Sequence, residues 1–174
     1  MEAHRARLQP GSGPAVAGTA ERGRLPLRGI LRRRRLNTVY IGRLYRFNAG
    51  HRLYRPDRDA EWNLKVFGKC SYEGGHGHNY DLEVVIRGNP DPVTGQVISP
   101  ELLDSIVRDK VIEPIDHRNL NEILESGSAP PPTTEVLIAD IWSRLADSIP
   151  PPASLQLLRI LETEKNLFEY SGPV

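Results

Sequence analysis

"HGHNYDLEVVIRG", His76 to Gly88, has the clearest periodicity in the chain. His76, His78, Tyr80, Leu82, Val84 and Ile86 fall on one face of an extended strand. Gly77, Asn79, Asp81, Glu83, Val85 and Arg87 fall on the other, because side chains alternate with period two. One apolar and one polar face suit an antiparallel sheet with a covered side and a wet side. Upstream, "VYIGRLYRFNAGHRL" (Val39 to Leu53) is rich in β-branched and aromatic residues and predicts a second strand. Phe47, Ala49, His51 and Leu53 would share a face of it. Between the two strands, Arg55 to Gly75 reads as a long polar loop, punctuated by Pro56, Gly68, Gly74 and Gly75. A loop that long inside a compact domain is functional or disordered.

Downstream, "GNPDPVTG" (Gly88 to Gly95) is turn chemistry. A helix should open with Ser99 as N-cap and Pro100 at its first position, carry Leu102, Leu103, Ile106, Val107 and Val111, and stop before Pro114. A second helix is capped by Thr133 or Thr134, has Glu135 in its first turn, and ends at Pro150 to Pro152. Its apolar stripe is Leu137, Ile138, Ile141, Trp142, Leu145 and Ile149. Two further strands, Ser154 to Thr163 and Asn166 to Gly172, close the domain. The order strand, strand, helix, helix, strand, strand, with short connections, predicts antiparallel pairing and an α+β fold.

The 174 residues amount to about one domain, and no apolar run approaches the ~18–20 residues of a membrane-spanning helix. The one cysteine, Cys70, excludes an intrachain disulfide and suits the cytoplasm, a reducing compartment. The net charge of +1 is unevenly distributed. Residues 1–36 carry nine arginines against Glu2 and Glu21, a net of +7, which leaves the remainder at −6. An acidic body argues against specific nucleic-acid binding through phosphate charge. Residues 1–36 read as a disordered Arg/Gly/Pro-rich tail, and 37–174 as a single globular domain. "LRRRRL" (Leu31 to Leu36) could contact RNA, anionic lipid or a targeting receptor. Its bland reading is a solvated tail or a wrongly chosen start codon.

His76 and His78, two apart on a strand, project from one face, and His51 lies inward on a neighbouring strand. Three neutral imidazoles converging from two strands fit a tetrahedral zinc site with one position open. Cys70 sits in the loop leading to the histidine strand; it is a candidate base, a candidate fourth ligand, or an inert loop thiol. Asp116 beside His117 can set an imidazole tautomer and relay a proton, or simply cap a turn. Glu162, in register with Leu158 and Ile160, suits a planar pair of N–H donors.

Taken together, "FNAGHRL", "FGKCSYEGGHGHNY", "DPVTG", "PIDHRNLN", "PTTE" and "LETEKN" resemble, in their order, the 6-pyruvoyl-tetrahydropterin synthase family. That family includes the 6-carboxy-tetrahydropterin synthases of the 7-deazaguanine (queuosine) pathway. The resemblance spans about Val39 to Gly172. It implies the tunnelling fold, a four-stranded antiparallel sheet with two helices on one face. It also implies closure of three subunits into a barrel, stacking of two trimers into a hexamer, and active sites between subunits. By resemblance His51, His76 and His78 hold zinc and Cys70 abstracts a proton. Asp116 and His117 shuttle protons from a neighbouring subunit. Glu162 anchors the pterin, with Thr133, Thr134 and Glu135 beside it. Asn121 stands where an aspartate is common, and "TEKN" replaces "TDNN". The implied substrate is 7,8-dihydroneopterin triphosphate, with Arg52 and Lys69 as candidates for its triphosphate. The implied product is 6-pyruvoyl-tetrahydropterin plus triphosphate. The alternatives are 6-carboxy-tetrahydropterin with acetaldehyde and triphosphate, or a pterin- and metal-binding protein without turnover. Five residues separate Cys70 from His76, which favours the pyruvoyl type.

Overall fold

Strands β1 (Val39–His51) and β2 (His76–Gly88) pair antiparallel along their whole length, from Val39 opposite Gly88 to His51 opposite His76. The computed structural model describes residues 37–124 and 130–173; the tail read from residues 1–36 lies outside them. β2 also pairs antiparallel with β4 (Ser154–Thr163), and β4 with β5 (Asn166–Tyr170). A two-residue strand, β3 (Arg118–Asn119), joins β1 in parallel at Ala49 and Gly50. The sheet is therefore five-stranded and mixed, in the order β3-β1-β2-β4-β5. This corrects the expected all-antiparallel, four-stranded sheet. The α+β class stands.

Both long strands present the faces their periodicity predicts. Tyr80, Leu82, Val84 and Ile86 of β2 are fully buried, as is Phe47 of β1, whose ring stacks on that of Tyr80 with centroids 5.0 Å apart. Helix α5 (Thr134–Leu145) covers this face with Leu137, Ile138, Ile141 and Leu145, all buried at the predicted helical spacing. Burying each such aliphatic side chain contributes about 1.5–3 kcal/mol.

Helix α2 (Pro100–Val107) starts as expected. Ser99 accepts a hydrogen bond from Leu102 N–H, Pro100 fills the first turn, and Leu103 and Val107 reach the core. Leu102, assigned to the apolar stripe, is instead exposed. The helix does not stop before Pro114. It widens into a π turn, Arg108–Ile112, and continues as α3 (Glu113–Ile115). A proline lacks the N–H for an i→i−4 bond, and its ring strikes the carbonyl four residues back. The wide turn, with Glu113 N–H donating to Arg108 O, opens the ladder just ahead of it.

The expected loop between β1 and β2 also contains order. Helix α1 (Ala60–Phe67) is capped by Asp59, which accepts from Trp62 N–H at 2.7 Å. A 3-10 turn, Gly68–Ser71, follows. The one buried residue of α1 is polar. Asn63 donates to the carbonyls of Arg55, Arg58 and Asp59 and accepts from Arg55 N–H. Trp62, Leu64 and Val66 stay exposed, so the segment has no apolar face from which a helix could be read. A short helix, α4 (Leu120–Leu124), follows β3 and anchors Leu120 in the core.

Candidate metal centre and adjoining cleft

Register brings the three histidines together. His51 ends β1 directly opposite His76, and His78 lies two residues along the same face. The His51 ring centroid is 4.6 Å from that of His76 and 5.2 Å from that of His78. One nitrogen from each ring lies within 4.8 Å of the others. The Nδ1–H of His51 donates to the carbonyl of Pro132 at 2.8 Å, which turns its Nε2 lone pair toward His76 Nε2, 3.2 Å away. Two ring nitrogens facing each other in this way are satisfied by a shared proton or a shared cation. Tetrahedral Zn–N bonds of about 2.0–2.1 Å place ligand nitrogens about 3.4 Å apart, so the donor set fits such an ion. A carbonyl holding the non-ligating nitrogen is the usual orienting partner of a metal-bound imidazole. Burial lowers the pKa of all three rings, and neutral rings are the form that ligates.

A cleft of about 420 Å³ opens beside the triad, walled by Cys70, Thr133, Thr134, Glu135 and Glu162. The three metal candidates, the four residues expected beside the pterin, and Cys70 therefore line one cavity within a single chain. Cys70 comes from the 3-10 turn after α1 and carries a free thiol. Thr133 is the N-cap of α5, although its hydroxyl makes no capping bond. Thr134, also buried, donates its hydroxyl to Glu162 Oε1.

Glu162 owes its aim to an irregularity. Leu161 pairs with Leu167 and Thr163 with Asn166, leaving Glu162 as the extra residue of a bulge near the β4–β5 turn. Bulges bend a strand and redirect a side chain. The carboxylate ends 3.9 Å from His78 Nε2, with Asn166 Nδ2 donating to Oε2 at 3.2 Å. Asn166 and Pro132 were not foreseen as site residues. Asn166 closes the "LETEKN" motif, the signal that could have found it, and Pro132 contributes only a carbonyl, on which sequence is silent. Tyr80 lies beneath, fully buried, with an Oη that makes no hydrogen bond of normal geometry.

Asp116 and His117 are not brought into this cavity. They pair with each other, His117 Nδ1 lying 2.9 Å from Asp116 Oδ2. His117 lines another cleft, with Asn48, Gly50, Gly77 and Asn79 of the opposite sheet face and with Ala49 and His78 at its edge. The turn is tightly fixed. Asp116 Oδ1 accepts Asn48 N–H at 2.8 Å, and His117, at φ 58°, donates its own N–H to Asn48 O. A non-glycine residue held in the left-handed region is uncommon and concentrates at functional sites. The Asn48 amide, and then His117, hold the Asp116 carboxyl below the usual carboxylate range.

Asn121, where an aspartate was noted as common, accepts from Arg52 N–H at 2.7 Å and donates to Arg52 O at 2.9 Å. An ionised carboxylate could only accept, so an amide suits this place. Arg52 donates to Ser71 O and stacks on Tyr54, and Lys69 is exposed; neither lines the 420 Å³ cleft expected to hold substrate.

Fold and site together define an α+β domain with three clustered imidazoles able to hold a metal ion beside a thiol and a half-buried carboxylate. Comparison with known proteins narrows this. The family model for 6-pyruvoyl tetrahydropterin synthase matches residues 40–173. A 6-pyruvoyl tetrahydrobiopterin synthase of Poecilia reticulata is 41% identical over 134 residues, covering 76% of this chain and 90% of that protein. The Homo sapiens 6-pyruvoyl tetrahydrobiopterin synthase is 36% identical over 132 residues, covering 76% and 90%. The solved structure of Caenorhabditis elegans 6-pyruvoyl tetrahydropterin synthase superposes with a TM-score of 0.73 at 34% identity, covering 80% of this chain and 99% of that one. The chain belongs to the 6-pyruvoyl tetrahydropterin synthase family.

Proposed function

We propose that the chain is a zinc-dependent lyase that converts 7,8-dihydroneopterin triphosphate to 6-pyruvoyl-tetrahydropterin with release of triphosphate. The observation that carries this reading is the single cleft uniting the histidine triad, Cys70, Glu162 and the Thr133–Glu135 helix start.

The protein residues divide the work. Glu162, its two oxygens oriented by the Thr134 hydroxyl and the Asn166 amide, accepts hydrogen bonds from the N–H edge of the pterin. The start of α5, with Thr133 and Glu135 on the cleft wall, fixes the ring beside it. Cys70 removes a proton from the substrate side chain as general base. His51, His76 and His78 would hold a zinc ion, which supplies Lewis acidity to the side-chain oxygens and acidifies the neighbouring C–H. Loss of triphosphate and internal redox tautomerisation follow, so no external oxidant or reductant is consumed.

Asp116 holds His117 for proton transfer, and the absence of both from the lining of the Cys70–Glu162 cleft supports a site completed by another copy of the chain. The outward face favours such assembly: Tyr40, Leu44 and Leu167 are exposed, and among the described residues β1 and β5 have unpaired edges beyond β3. A trimer, or a hexamer of two trimers, closes those edges. No helix among the described residues is long and apolar enough to cross a membrane, and a base that must stay a free thiol favours the reducing cytoplasm.

The test is to incubate zinc-loaded protein with dihydroneopterin triphosphate, following triphosphate by phosphorus NMR and acetaldehyde by enzymatic assay. Triphosphate without acetaldehyde is the expected result. Stoichiometric acetaldehyde, or no triphosphate, overturns the reading.

A further inference from the structure

The two residues after His51 tie a second segment to the metal strand. Leu53 N–H donates to Cys70 O at 2.8 Å, and Arg52 Nε donates to Ser71 O at 2.8 Å. The guanidinium lies over the Tyr54 ring, its Cζ 4.0 Å from the centroid. The Arg52 backbone is itself clamped on both sides by the Asn121 side chain. Asn121 thus holds Arg52, and Arg52 holds the four-residue turn that carries Cys70.

That turn needs an outside hold. It begins at Gly68, at φ 57°, and closes on itself through Ser71 Oγ donating to Gly68 O. A 3-10 turn has poorer hydrogen-bond geometry than an α-helix. A thiol acting on a C–H bond must keep its place, since small misplacements cost large factors in rate.

We propose that Arg52 is a positioning residue that fixes the Cys70 turn against His51, rather than a contact for the triphosphate. The inference rests on Cys70 being the proton acceptor. Electrostatics support it. Arg52 lines a cleft of about 630 Å³ on the other side of His51 and His76, whose wall also carries Glu73, an acid that opposes a highly charged anion. The guanidinium has its Nε and its flat face already engaged.

The experiment uses the full chain and needs no substrate for its first arm. Cys70, the sole cysteine, is alkylated with iodoacetamide at fixed pH in the unaltered protein, Arg52→Gln and Arg52→Lys. Arg52→Gln is expected to speed alkylation about tenfold, the scale of one hydrogen bond from a charged donor. Arg52→Lys, which keeps a donor, should fall between. In the second arm kcat falls by a similar factor in Arg52→Gln, while KM and inhibition by inorganic triphosphate stay unchanged. Should Arg52→Gln fail to fold, Arg52→Lys and Tyr54→Leu, which removes the stack alone, carry the same comparison.

Unchanged alkylation overturns the proposal. So does a rise in KM with weakened triphosphate inhibition at constant kcat. Cys70→Ala separates the two levels: full turnover in that variant defeats the role given to Cys70, whereas the alkylation rates judge the tether independently.

Discussion

His51 Nε2 lies 3.2 Å from His76 Nε2, across a directly opposed pair at the end of the β1–β2 ladder. The Pro132 carbonyl fixes the other nitrogen of His51, so this contact is between two potential ligand atoms rather than an incidental ring packing. His76→Ala should therefore drop the bound zinc from one equivalent to roughly a tenth or less after dialysis, since two imidazoles no longer make a three-ligand site. Elemental analysis measures it. Full retention would remove the triad from the metal site.

Acid should destabilise the metal-free protein through the same rings. Each has its pKa lowered from 6.5, chiefly by burial. As pH falls through about 6.5 the unfolded chain takes up protons that the folded chain resists. The stability gained by keeping these rings neutral is thus fully present above that value and is lost as pH drops toward the lowered folded values. Urea midpoints of apoprotein at about pH 7.5 and about pH 5.5 check the sign. Asp116, with its lowered pKa, adds a loss at more acid pH in the same direction. A midpoint that rises on acidification would contradict the argument.

Glu162→Gln keeps the shape but replaces one acceptor oxygen by a donor. Binding of a neopterin ligand should weaken about 10–100-fold, the scale of a charged hydrogen bond. Asn166→Ala, which frees one carboxylate oxygen, should cost less, about 2–10-fold. Equilibrium titration gives both. An equal or larger effect at Asn166 would mean that the amide, not the carboxylate, faces the ligand.

Cys70→Ala should lower kcat by about 10²–10⁴, the usual contribution of a general base, while zinc content stays at one equivalent. Loss of zinc in that variant would instead make the thiol a fourth ligand. Activity and metal content, measured on the same preparation, decide between the two.

Gly75 sits at φ 59°, and a Cβ there would lie 2.8 Å from the His51 carbonyl oxygen. Gly75→Ala should therefore cost about 1–3 kcal/mol and loosen zinc binding, because the strain falls on the backbone of a ligand. Chemical denaturation and zinc competition with a chelator measure the two effects. A variant with unaltered zinc affinity would show that His51 absorbs the displacement.

The sequence by itself determined what is periodic or local. Alternation in "HGHNYDLEVVIRG" fixes which side chains of β2 face the core, and with them the shared direction of His76 and His78. Ser99 and Pro100 mark the start of α2, and the spacing from Leu137 to Leu145 marks the buried side of α5. The ordered motifs carried the family. Tertiary structure decided what depends on contacts across the chain. α1 was illegible because its one buried residue is an asparagine that serves the backbone. The run through Pro114 depends on a π turn packed in place, and β3 on hydrogen bonds to a strand far away in sequence. Glu162 points into the cleft because β4 bulges against β5. Asp116 and His117 do not line the Cys70–Glu162 cleft, because their turn is bonded to Asn48 on β1. Alternation is a property of neighbouring residues, whereas a bulge or a non-local clamp exists only once its partner strand is in place.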